Sequence, residues 1–142
     1  MILTKKLYNK ASIFELEKKQ VSILHFLQHH SIFTPNKYAI EALDANGEIS
    51  DKITFKTLHK KTIAVSNFLK LKYKNTHSKT CLLIFNNSID FIIAFLGCIQ
   101  AGMIPVPAYA PKKNHHMQRL NKLIENANAV CLLSHSPLFE NV

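Results

Sequence analysis

The tripeptide Ser134-His135-Ser136 sets two hydroxyls beside an imidazole, the residue types of an activated nucleophile. Adjacent residues do not face one another as a nucleophile and its base must, and no serine stands in a GxSxG turn. The triplet is therefore not read as catalytic. Cys81, Cys98 and Cys131 sit far apart inside apolar runs, with no CxxC-type zinc spacing. They read as small core residues in a reducing compartment rather than ligands or disulfide partners. His29/His30 and His115/His116 are adjacent pairs, not the i, i+4 pair that turns two ligands to one helical face. Asp44, Glu48 and Asp51 gather around a turn signal and read as solvated. A phosphate cradle needs clustered glycines so that several backbone N–H groups converge. The chain has three glycines. Gly47 suits a hairpin, Gly102 a helix stop, and Gly97 lies inside a helix, where close approach to a sheet is the expected reason. Neither GxGxxG nor GxxxxGK(S/T) occurs. No residue is assigned as catalytic, cofactor-binding or metal-binding.

The elements that would carry these residues are legible in the pattern. Ser12 to Ser31 reads as an amphipathic helix, with Leu16, Ile23, Leu24 and Leu27 inward and Pro35 closing the region. Tyr38–Leu43 and Ile49–Thr54 read as two strands joined at Asn46-Gly47, a pair suited to a type I′ turn with both residues at positive φ. Thr54 caps a helix to about Leu71, with Phe55, Leu58, Thr62, Val65 and Leu69 as its buried stripe. Cys81–Phe85 is a continuous apolar run, as in a strand covered on both faces. Asn87 or Ser88 starts a helix that Gly102 ends. Met103–Val106 is a strand, His115–Asn126 a helix with Met117, Leu120, Leu123 and Ile124 inward, and Val130–Leu133 a last strand. From Cys81 onward the order is β-α-β-α-β, which argues an α/β fold with a parallel sheet. The helix around Phe91–Ile99 is apolar nearly all round and requires cover on every side. Such cover is hard to provide in a chain of this length, so the segment suggests part of a larger protein.

Composition narrows the class. At 142 residues the chain is one domain by prior, and its 47% hydrophobic content is enough for a core. The net charge of +9 invites a nucleic-acid reading, but the lysines are dispersed and no aromatic residues interleave with them, so nucleic acid is not an expected partner. The start lacks a sustained apolar run, and Phe91–Ile99 is shorter than the ~20 residues a membrane span needs. A cytoplasmic location without a membrane span is the expectation.

Four segments, in order, resemble the N-terminal part of an adenylate-forming enzyme, most specifically a fatty acyl-AMP ligase. Thr34-Pro35-Asn36-Lys37-Tyr38-Ala39-Ile40 resembles the family's opening strand, and Ile53-Thr54-Phe55-Lys56-Thr57-Leu58 its helix entry. Cys81 to Asn86 stands where the family has a buried strand. The most specific run is Asp90 to Cys98, continuing through Ala101-Gly102 to Pro105-Val106-Pro107-Ala108-Tyr109-Ala110-Pro111. The similarity covers roughly Ser31 to Ser134. It departs where Lys74 to Thr80 lack the family's Gly-Asp and where Ala110-Pro111 replaces a double proline. The sequence does not reach the family's phosphate loop, adenine contacts or catalytic lysine.

The resemblance implies an incomplete N-terminal α/β subdomain over residues 35–142, preceded by a helical leader over residues 1–34. It implies a parent that joins a fatty acid to ATP with Mg2+, releases pyrophosphate and passes the acyl group to an acyl carrier protein. The chain alone is expected to hold neither ATP nor Mg2+ and to be inactive. The alternative is a non-catalytic interaction module for an acidic carrier protein or for the missing half. Weak stability, or self-association through an exposed sheet edge, is expected in either case.

Overall fold

The hairpin and the helix after it show how local chemistry fixes the frame. A computed structural model describes residues 22–85, 88–109 and 114–135. Strands β1 (Tyr38–Leu43) and β2 (Ile49–Thr54) pair antiparallel over the expected residues. Their turn differs from the expected type I′. Gly47 alone takes a positive φ, of 83°, and Asn46 does not. The reason is Asp44, whose Oδ1 accepts the N–H groups of Asn46 at 2.9 Å and Glu48 at 3.0 Å and so holds a wider loop. Thr54 ends β2 and caps the next helix, its Oγ1 accepting the Thr57 N–H at 3.3 Å.

Helix α1 (Ile23–Phe33) precedes the hairpin. The expected start at Ser12 and the inward Leu16 lie outside the described residues. Leu27 is buried and Leu24 partly so, whereas Ile23 in the first turn is exposed. Helix α2 (Phe55–Lys72) buries Leu58, Thr62, Ser66 and Leu69. Ser66 was not part of the expected stripe.

The parallel sheet follows. Strand β3 (Thr80–Ile84) leads into α3 (Ile89–Ala101), then β4 (Ile104–Ala108), α4 (Asn114–Ala127) and β5 (Ala129–Ser134). The strand order is β4-β3-β5, all parallel. The chain steps from the centre to one edge and returns to the other, and crossovers of one hand then place α3 and α4 on opposite faces. Alternation along β3 agrees: Cys81 and Leu83 pack toward α3, Leu82 and Ile84 toward α4. All four are fully buried, as expected of a strand covered on both faces. Leu120 is buried on the α4 side, with Leu123 and Ile124 partly buried beside it.

Helix α3 is a middle layer. Ala94, Cys98 and Ala101 face the sheet, while Ile89, Ile93 and Leu96 face α1, α2 and the hairpin. Much of the cover for this apolar helix thus comes from within the chain, while Phe91, Ile92, Phe95 and Ile99 stay partly exposed. Ser88 Oγ accepts the Phe91 N–H at 3.3 Å to start it. Gly102, at φ 80°, ends it, and the Met103 N–H returns to the Cys98 carbonyl at 2.9 Å.

Gly97 serves a different approach from the one expected. A Cβ there would lie 2.5 Å from Val65 Cγ1, so the surface it meets is α2 and not the sheet. Where the family's Gly-Asp is absent, Asn75 and Ser78 take positive φ values of 55° and 60°. Thr76 Oγ1 donates to the Ala101 carbonyl at 2.6 Å and ties this loop to the end of α3. Among the described residues no helix is long and apolar enough to cross a membrane.

Candidate functional site

Parallel sheets place loops and helix N-termini at the carboxyl ends of their strands, and ligands favour the point where the chain changes direction across the sheet. Here that point lies between β3 and β5. A cleft of about 390 Å³ opens there, under the N-terminus of α3 and the outer side of α2. Its wall is mainly apolar, with Phe68, Phe85, Ile93 and Leu133 among the lining residues and Asp90, Ser134 and His135 as polar members. Phe85 organises the aromatic side: its ring is 6.1 Å from His135, nearly parallel at 26°, and 6.4 Å edge-on from Phe91. His135 Nδ1 is buried without a hydrogen-bond partner among the described residues.

The chemistry open to this cleft is limited. Ser134 Oγ donates to the His135 backbone carbonyl at 3.2 Å, not to the imidazole, so these two residues form no nucleophile–base pair. Ser136 lies outside the described residues. Asp90 sits in the first turn of α3, where its carboxylate complements the positive helix end and repels a phosphate. The three glycines are engaged in the hairpin turn, the α2–α3 contact and the α3 stop. The described residues therefore do not fit the triphosphate and metal of an adenylation site. They fit an apolar group.

The fold does bring the three cysteines together, which their wide spacing in sequence hid. Cys81 and Cys131 are register partners on adjacent strands, and Cys98 joins Cys81 in the same core cluster. All three are free. The Cys81 thiol is held far above its ordinary range, first by its hydrogen bond with Cys98 and then by burial. Burial, and then Cys81, push Cys131 up to about 12. The Cys81 and Cys131 thiols stay protonated and act as core atoms rather than nucleophiles or ligands. Among the described residues no group of three or more His, Cys, Asp or Glu could hold a metal ion.

Sequence alone did not group Phe85, Asp90 and His135. The β-α-β-α-β order predicts the three strands but not that the first and third lie side by side, which the strand order β4-β3-β5 alone establishes.

A three-stranded parallel sheet in the order β4-β3-β5, preceded by a helix and a hairpin that pack on its first crossover helix, defines a class: the N-terminal subdomain of adenylate-forming enzymes. The AMP-binding enzyme family model matches residues 27–141, and the chain belongs to that family. A Mycobacterium leprae protein named as a fatty-acid–CoA ligase is 24% identical over 85% of this chain and 21% of its own length. The 4-hydroxyphenylalkanoate adenylyltransferase of Mycobacterium tuberculosis is 24% identical over 85% of this chain and 20% of its own. The fatty acid AMP ligase of Legionella pneumophila superimposes with a TM-score of 0.75 at 26% identity, over 84% of this chain and 21% of that one. The chain thus spans about a fifth of the length of these three relatives.

Proposed function

We propose that this chain is the N-terminal scaffold of a fatty acyl-AMP ligase. Residues 1–34 are a leader and residues 35–142 part of the first α/β subdomain, in a cytoplasmic enzyme. The parent joins a fatty acid carboxylate to the α-phosphate of ATP with Mg2+, releases pyrophosphate, and delivers the acyl group to an acyl carrier protein. This segment supplies no catalytic, cofactor-binding or metal residue. It builds and braces the sheet beside which the acyl chain lies.

The likeness to the Legionella pneumophila fatty acid AMP ligase supports this reading. The engagement of all three glycines in folding supports placing the phosphate chemistry elsewhere. Reaction at a phosphoryl centre requires charge neutralisation and in-line positioning, and the lining of the described cleft includes no lysine or arginine. The test is ATP–pyrophosphate exchange by the purified 142-residue chain with medium- and long-chain fatty acids. No exchange is expected, and exchange above the enzyme-free rate would overturn the scaffold reading. The coding sequence following codon 142 should specify a glycine-rich phosphate loop, and unrelated sequence there would count against a ligase parent.

A further inference from the structure

Helix α2 gathers charge that looks scattered along the sequence. No acidic residue stands between Asp51 and Asp90. Lys56, Lys60, Lys61, Lys70 and Lys72 lie on α2 and Lys74 just beyond it, and all are exposed. At 3.6 residues per turn, Lys60, Ala64, Phe68 and Leu71 fall on one stripe, opposite the buried Leu58, Thr62, Ser66 and Leu69. Lys61 and Lys72 flank this stripe on one side, Lys56 and Lys70 on the other. Within it Leu71 is 87% exposed and Phe68 55%.

Two ordinary explanations account for only part of this arrangement. Lysines in a last turn offset the negative end of a helix, which covers Lys70 and Lys72 but not Lys60 and Lys61 in the middle. Exposed apolar side chains on part of a longer protein are often covered by its remainder. Cover here would have to bury the lysines on both flanks as well, and lysine is almost never buried without a partner. The face instead fits a surface that carries dense negative charge and takes up apolar tips without a shaped pocket.

We propose that the outer face of α2 is a peripheral docking surface for an anionic lipid membrane. The lysine ammonium groups lie level with the lipid phosphates, their methylene stems reaching up to them, while Leu71 and Phe68 enter between the headgroups. A protruding leucine needs a matching pocket on a protein and offers nothing to a sugar–phosphate backbone, whereas a bilayer asks for no such fit. Ala64 and Phe68 also border the apolar cleft, so docking by this face turns the mouth of the cleft toward the membrane. The proposal stands apart from the ligase reading, because binding is measured without ATP or fatty acid.

The test is flotation of the full chain with vesicles of phosphatidylcholine, alone or mixed with phosphatidylglycerol. Binding is expected to the mixed vesicles only, and added salt should weaken it. Lys70→Gln with Lys72→Gln should weaken it about thirtyfold, the effect of removing two lysines from an anionic surface. Arg119→Gln with Lys122→Gln, an equal loss of exposed charge on α4 across the sheet, should leave it unchanged. Leu71→Ser should weaken binding about tenfold with the thermal melt preserved. The chain has no tryptophan, so Leu71→Trp carries a single reporter whose emission should shift to the blue on the mixed vesicles. No binding, equal binding to both vesicles, equal losses in the two glutamine pairs, or an unshifted emission in Leu71→Trp would each overturn the assignment. Tighter binding to a DNA duplex or an acidic polypeptide, indifferent to Leu71→Ser, would overturn it in favour of an acidic macromolecule.

Discussion

Gly97 of α3 lies against Val65 of α2 with no room for a methyl group between them. A Cβ at Gly97 would be 2.5 Å from Val65 Cγ1 and 2.6 Å from Val65 Cβ. Alanine is favoured over glycine in a helix by about 0.8–1 kcal/mol, but overpacking a close contact costs about 1–3 kcal/mol. Gly97→Ala should therefore destabilise the chain by up to about 2 kcal/mol in urea denaturation. Adding Val65→Ala should recover part of that loss. A Gly97→Ala variant as stable as wild type would show that the two helices slide apart at no cost.

Thr62 and Ser66 lie one turn apart on the buried face of α2. Both are buried, and their hydroxyls have no hydrogen-bond partner among the described residues. Replacing a buried, unpaired hydroxyl by an apolar group of similar shape removes a desolvation penalty of about 1 kcal/mol or more. Thr62→Val should raise the urea midpoint with an unchanged slope. A lower midpoint would reveal a bound water that the hydroxyl holds.

Asp44 holds the hairpin loop through two backbone N–H groups. Asp44→Ala should cost about 1 kcal/mol, the net worth of such bonds at an exposed site. Amide hydrogen exchange at Asn46 and Glu48 should accelerate while exchange in β3 stays slow. Unchanged protection at both amides would refute the role given to the carboxylate.

Acid should weaken the fold before carboxylates titrate. The pKa of His59 is lowered by burial, and that of His29 first by burial and then by the neighbouring His30. In the unfolded chain these imidazoles take up protons near their ordinary 6.5, and in the folded chain only at lower pH. Stability from this source is full above the unfolded value and is lost as the pH falls through the folded ones. Urea midpoints measured across this range should decline toward acid, with a shallower decline in His59→Gln. A flat profile would contradict the assignment.

Most elements were readable because each carried its own punctuation. Thr54 and Ser88 are caps, Gly102 is a stop, and the apolar run after Thr80 needed no partner to be recognised. Features set by distant parts of the chain were less accessible. The partner of Gly97 depended on which of two neighbours, helix or sheet, came closer, and periodicity does not rank them. The hairpin turn depended on Asp44 competing for amides that an Asn-Gly pair would otherwise leave to the turn. The meeting of Cys81 with Cys131 is a consequence of strand order, which spacing along the chain does not encode. The same holds for Phe85 and His135, 50 positions apart and stacked in the folded chain.

The prolines of β4 have a consequence for how such sheets multiply. The Ile104 N–H turns inward to the Lys79 carbonyl, so the alternation along the strand turns residues 105 and 107 outward. Pro105 and Pro107 take two N–H donors from the outer flank of β4, which disfavours pairing of a further strand on that side.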